Sequence, residues 1–431
     1  MARPMRIAMI SEHASPLAAI GGVDAGGQNI YVSHVSQCLA RAGHQVDVLT
    51  RRDSTHLAAR VDMRPGVRVI HIEAGPPCHI PKEELLQHMP EFSRVTERLM
   101  RNSVPYDVVH AHFFMSGWVA RRVQQHVGTP FVMTFHALGL VRQQHQQEAD
   151  TFPRERVSIE HELVTHADAL IPECPQDRAD LVRLYGADPA RMTMVPCGFD
   201  AQEFAPMRRA TARGALGMAS DEFVVLQLGR LVPRKGIDNV IRSIAELPRS
   251  IPVRLVVVGG ESRNPEDDRS FEMRRLQQLA SDIGIADRVT FVGHRDRFEL
   301  RQYYAAADAF VTTPWYEPFG ITPLEAMACG TPVIGSDVGG IKYSVQDDIT
   351  GYLIPPRDPK ALALKLATLW ANPLKARAMG RAGLVRARKM FTWEQVATEL
   401  TEVYGQARRR RPKRIAVPAR LPLAPPATGA P

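Results

Sequence analysis

Short runs of β-branched and aliphatic residues alternate with helix-patterned segments along nearly the whole chain, and the alternation comes as two successive series. Strand–helix–strand units of this kind place their strands parallel in one sheet and carry crossover helices on its faces. In the first series strands are expected at residues 6–10, 45–50, 67–72, 107–110, 131–135, 169–172 and 192–196. Helices are expected at 82–100, 116–126, 154–166 and 176–185, with a glycine-rich loop at 21–32 leading into a helix that ends near 42 and an irregular polar stretch after 135. The second series places strands at 223–229, 254–258, 289–292, 309–312, 332–335 and 352–354. Its helices begin at 235, 269 and 299, and three more close the chain. Between the series lies CGFDAQEFAP, residues 197–206, whose turn residues read as a linker. The fold class is therefore α/β, two doubly wound domains facing a central cleft, where the strand C-termini of such sheets gather ligands.

A length of 431 residues exceeds one ordinary core, as two domains require. The chain divides into a first Rossmann-like domain (1–205), a second one (206–385), C-terminal helices returning toward the first domain (386–407), and a tail (408–431). The net charge of +8 would suggest a nucleic-acid partner if it lay on the folded body. From Arg408 onward, however, Arg408, Arg409, Arg410, Arg411, Lys413, Arg414 and Arg420 occur with no acidic residue, so seven of the eight excess charges sit in a Pro- and Ala-rich stretch expected to be disordered. No specific nucleic-acid binding follows, and the tail can offer a membrane only a weak peripheral contact. No apolar run is long enough to span a bilayer. The residues 1–13 suit a buried strand better than a secretory signal. Five scattered cysteines, Cys38, Cys78, Cys174, Cys197 and Cys329, read as reduced thiols of a cytoplasmic protein.

The stretch 313–340, TPWYEPFGITPLEAMACGTPVIGSDVGG, carries the strongest chemical signal. Glu317 and Glu325 flank a loop, and Thr322 before Pro323 has the look of a helix cap. A helix start there directs free amides and a positive dipole end at an anion, with two carboxylates able to accept hydroxyl bonds nearby. Either glutamate alone is as readily a solvated surface residue; the combination points to a site. GRLVPRKG, residues 229–236, puts Arg230 at a strand end and Lys235 at the next helix start, a cation pair suited to a diphosphate. The loop glycines Gly21, Gly22, Gly26 and Gly27 permit close backbone approach to a phosphate, although GGVDAGG is neither a dinucleotide fingerprint nor a P-loop. His112 and His136 follow strand ends and are the remaining candidates, while His110 falls inside its strand.

With GGVDAGGQNIYV, HAHFFMSG, FHALG, VPCGFD, GRLVPRKG and EPFGITPLE, residues 6–406 resemble the retaining glycosyltransferases of family four, in the branch of the sucrose-related and inositol-phosphate enzymes. The resemblance implies the GT-B fold of two Rossmann-like domains and transfer of a hexose from a nucleotide diphosphate sugar, UDP-glucose being the expected donor. It assigns Arg230 and Lys235, with the Gly27 amide, to the diphosphate; Glu317 and the backbone of Phe319, Gly320 and Ile321 to the sugar; Thr322 to a phosphate; Glu325 to the ribose; and Arg295 to the base. His136 would stand beside the reacting centre. No metal or other cofactor is implied, since Arg and Lys carry the diphosphate charge, and the leaving phosphate itself takes the acceptor proton in a front-face displacement. On the acceptor side the candidates are Lys82, Tyr106 and Arg156 for a phosphate, with Gln28, His112 and Arg142 beside them, for a small sugar or polyol acceptor. Two departures stand out: Ala137 replaces a threonine of the inositol-phosphate enzyme, and Cys197 opens CGFD where the family more often has proline. A nucleotide-sugar epimerase and a non-catalytic binder of sugar nucleotides are the alternative readings, and oligomeric state is left open.

Overall fold

A computed structural model describes residues 3–18 and 26–410. Gly21 and Gly22 of the first glycine-rich loop, and the tail from Arg411, lie outside the described residues.

The first sheet has seven strands: β1 (Arg6–Ile10), β2 (Gln45–Arg51), β3 (Arg60–Arg64), β4 (Val67–Ile72), β5 (Val108–His112), β6 (Phe131–Thr134) and β7 (Ala169–Leu170), ordered β3-β4-β2-β1-β5-β6-β7. All pairs are parallel except the edge hairpin of β3 with β4. The second sheet holds β8 (Phe223–Leu228), β9 (Val253–Val258), β10 (Val289–Gly293), β11 (Ala309–Thr312), β12 (Val333–Ser336) and β13 (Gly351–Ile354), ordered β10-β9-β8-β11-β12-β13 and wholly parallel. Central strands are buried on both faces, as the uninterrupted apolar runs of β1 and β8 require. In each sheet the strand order reverses at the first strand, β1 or β8, which opens a crevice at its C-terminal end.

Several sequence expectations need correction. β3 lay unseen because Val61 and Met63 alternate with charged residues on a half-exposed edge. The stretch at 192–196 forms only a bridge from Met192 to Leu170, not a strand. The expected helix at 82–100 is a 3-10 turn, Lys82–His88, then a helix Met89–Arg101 that begins anew at Pro90. Helix Gly139–Gln146 occupies the stretch after 135 that read as irregular, and Arg209–Leu216 is a further helix.

The chain crosses between the halves twice at one place. Phe199 donates its N–H to the Phe391 carbonyl at 2.8 Å and bridges Thr392. From there helix Trp393–Arg410 packs on the first sheet and on helix Gly27–Arg41, burying Trp393, Leu400 and Tyr404. That helix runs past Arg408, where the sequence suggested disorder. Arg408 pairs with Asp107 at 2.9 Å, and Arg410 donates to the carbonyls of Asp168 and Ala190.

Candidate active site

The loops after β1, β5, β6, β8, β9, β10 and β11 converge on one cavity of about 350 Å³ between the two sheets. The wall from the second sheet is built of charge. β8 ends at Leu228, and the turn that follows sends Arg230 across the cleft, where a side chain on Gly26 would stand 3.9 Å from its guanidinium carbon. Lys235 closes a short 3-10 turn, Pro233–Lys235, and forms a direct ion pair with Glu317, while Arg234 lies 3.8 Å from the same carboxylate oxygen. Burial drives the Lys235 amine down to about 8, opposed by Glu317 and reinforced by Arg234 and Arg230. Burial pushes Glu317 up, but Lys235 and Arg234 outweigh it and hold the carboxyl below its ordinary value.

The loop carrying Glu317 lies over Gly339 and Gly340. Gly339 sits at φ +45°, and a side chain on it would collide with the Glu317 carbonyl, so the glycine pair ending the 313–340 motif is what lets this loop lie flat. Helix Ile321–Ala328 starts from Gly320, which corrects the expected cap: Thr322 is inside the first turn. The helix still opens on the cavity, which Phe319, Gly320, Ile321 and Thr322 line. Glu325, 2 % exposed, accepts from Arg297 Nη1 at 2.8 Å and from the Tyr304 hydroxyl at 2.9 Å. Arg295 lines the cavity with its guanidinium fixed by the Arg263 and His294 carbonyls, and Gly27 faces Ile321 from the opposite wall.

The wall from the first sheet is built of rings and tied cations. His136 follows β6 at φ +57°, a left-handed backbone that costs a non-glycine residue on the order of 1–3 kcal/mol. Its ring is bonded on both sides, Nδ1 to Glu173 Oε1 at 3.1 Å and Nε2 to His112 Nδ1 at 2.9 Å. Gln28 donates to Ser11 Oγ at 3.0 Å. Arg142 donates to Asp150 at 2.7 Å, and Arg156 to Glu160 at 2.8 Å and to the Ala137 carbonyl at 2.7 Å. Arg156 is enclosed by Phe113, Phe114 and Phe152, with its Nη1 buried and unbonded. Lys82 reaches the same cavity from its 3-10 turn.

Two expected acceptor residues are elsewhere. Tyr106 precedes β5 at the N-terminal end of the sheet, away from the cavity; its hydroxyl donates to Asp47 at 2.6 Å, beside Arg6 and Arg68. His112 lies behind His136 and outside the cavity lining, because β5 continues to His112 and turns it to the same face as His110, 4.0 Å away. Burial holds His110 down to about 3 and His112 well below its ordinary value, so both are neutral. Missed in the sequence were Arg234, Arg297, Tyr316 and Glu173, all lining the cavity. Arg234 sat within a quoted motif; Glu173 and Tyr316 carried no spacing signal.

Two doubly wound halves closing on one polar cleft form the GT-B architecture. Residues 26–198 match the domain described as Glycosyl transferase 4-like domain, and residues 208–386 that described as Glycosyl transferases group 1. The D-inositol 3-phosphate glycosyltransferase of Xylanimonas cellulosilytica is 38% identical over 421 residues, 96% of this chain and 99% of that protein. That of Mycobacteroides abscessus is 38% identical over 408 residues, covering 94% and 90%. Among solved structures, sucrose-phosphate synthase from Thermosynechococcus elongatus superposes with a TM-score of 0.86 at 36% identity, covering 94% of this chain and all of that one. Anabaena HepE, solved with UDP-glucose, gives 0.71 at 20% identity, covering 93% and 99%, a likeness of fold. The chain belongs to the family-four glycosyltransferases. The relatives at 36–38% identity named above are two glycosyltransferases and a sucrose-phosphate synthase, and no helix among the described residues is long and apolar enough to cross a membrane.

Proposed function

We propose that this enzyme moves a hexose, glucose in the first instance, from a nucleoside diphosphate sugar such as UDP-glucose to a small sugar or polyol, with retention of configuration. The observation that carries the reading is the partly buried Lys235–Glu317 pair flanked by Arg234 and Arg230 at the opening of helix Ile321–Ala328. A diphosphate entering there exchanges with Glu317 for the lysine, and the freed carboxylate turns to the sugar hydroxyls. Arg230, Lys235, the Gly27 amide and the first turn of helix Ile321–Ala328, with Thr322, stabilise the charge that grows on the departing diphosphate, which leaves no step that needs a metal. Glu325, anchored by Arg297 and Tyr304, keeps lone pairs for the ribose hydroxyls, Arg295 borders the base, and the backbone of Phe319, Gly320 and Ile321 lines the sugar.

The bond from the anomeric carbon to the leaving oxygen breaks while the acceptor oxygen bonds to the same face, and the acceptor proton passes to the departing phosphate. His136 borders the reacting centre and supports its positive charge. Neither glutamate serves as a nucleophile: Glu325 is held by Arg297 and Tyr304, and Glu317, once freed from Lys235, turns to the sugar hydroxyls. The acceptor lies against the first-sheet wall, where Lys82, Arg142 and Arg156, with Gln28, suit a phosphorylated polyol; the named activity of the 38%-identical relatives supports that class. Five free cysteines fit work in the cytoplasm. Incubation with an array of nucleotide sugars and acceptors, read by mass spectrometry, tests the reading. Release of diphosphate that depends on acceptor, with an acceptor one hexose heavier, is expected; an altered sugar without transfer, or no turnover on any pair, would contradict it.

A further inference from the structure

On the first-sheet side of the cavity, a chain of hydrogen bonds ends on a carboxylate that the transfer chemistry leaves unused. Glu173, 2 % exposed, follows β7. One of its oxygens, Oε1, takes both the Cys197 thiol at 3.1 Å and His136 Nδ1 at 3.1 Å. His136 Nε2 meets His112 Nδ1 at 2.9 Å; His112 stacks on His110, and His110 is held between the Tyr404 hydroxyl at 2.7 Å and Thr134 Oγ1 at 2.9 Å.

The bonds have one consistent direction. An ionised carboxylate only accepts, so His136 Nδ1 carries the proton. Nε2 is then a lone pair and accepts from His112 Nδ1–H, which leaves His112 Nε2 as a bare acceptor, and that atom is buried with no partner. A ring flip would set C–H groups against both neighbours. Asp177 accepts from the Glu173 backbone N–H at 3.0 Å, and its carboxyl is pushed up to about 7 by burial and by Glu173. Cys197 supplies the second bond to Glu173, and it is the residue that departs from the family motif; proline there has no donor.

We propose that Glu173 is the positioning residue for His136: it fixes the tautomer and plane of the ring and sets a negative charge behind it, and Cys197 anchors the carboxylate. The inference rests on the role given to His136 above. Glu173→Gln keeps shape and removes charge, so kcat is expected to fall on the order of 10–100-fold with the KM for donor held, the range seen when a partner that orients a histidine is lost. Nitrogen chemical shifts of His136 report the Nδ1-protonated form in the native enzyme and a changed tautomer balance in the variant. In a His136→Ala background, Glu173→Gln has no further effect on kcat. Should Glu173→Gln fail to fold, Cys197→Ala reads the same link through a smaller fall in kcat at unchanged donor KM, and Cys197→Ser, which retains a donor, restores it. Unchanged kcat in Glu173→Gln, or in Cys197→Ala, while His136→Ala is impaired would overturn the proposal alone. Full activity in His136→Ala would overturn the reading beneath it.

Discussion

The two walls of the cleft achieve polarity in opposite ways. On the second-sheet wall, cations and a carboxylate from different loops face one another across the cavity, so their pairing can be exchanged when an anion enters. On the first-sheet wall each named arginine is already engaged by a carboxylate of its own neighbourhood, Arg142 by Asp150 and Arg156 by Glu160, and the histidines are bonded to each other. The first arrangement suits a ligand recognised by charge. The second suits one recognised by shape and by the direction of hydrogen bonds.

Variants that break this contrast can be ranked. Lys235→Ala should lower kcat/KM most, by about 10²–10³-fold, the scale for removing one preorganised donor to a developing oxyanion. It also leaves the partly buried Glu317 without its closest cation, so thermal unfolding must be measured with it. His136→Ala should lower kcat by about 10²-fold without weakening donor binding, as loss of charge support at the reacting centre requires. Glu325→Gln should raise the donor KM by about 10-fold, the lower end for a hydrogen bond to a charged group, with kcat nearly unchanged. A pH profile sharpens the same contrast: Lys235 is protonated below about 8 and neutral above, so kcat/KM should hold below that pH and fall as pH rises through it. Smallest in activity is Tyr106→Phe, which should leave turnover intact and cost about 1.5 kcal/mol of stability through the lost bond to Asp47.

The second-sheet wall was the more legible in sequence, and the reason is physical. Arg230, Lys235 and Glu317 stand in short loops directly after strands, and Glu325 in the helix that opens from one of them, where position along the chain fixes position in the cleft. His112 was misplaced because a strand bound decides its direction. A strand ending at His110 leaves His112 free to reach the cleft; a strand ending at His112 turns it into the core beside His110. Tyr106 was assigned by resemblance; it stands before its strand, at the wrong end of the sheet, as the expected strand at 107–110 already implied. Glu173 and Cys197 lie far apart from His136 in sequence and meet only through the parallel packing of β6 and β7 and the crossing near Phe199. The parallel sheets themselves were legible from apolar runs, whereas the edge strand β3, with its charged alternation, was not.

Equilibrium binding of UDP, with GDP and ADP alongside, to the wild type, Lys235→Ala and His136→Ala tests the division of the cleft most directly. The account predicts that the nucleotide preferred by the wild type loses affinity strongly in Lys235→Ala and retains it in His136→Ala. Equal loss in both variants, or loss confined to His136→Ala, would contradict it.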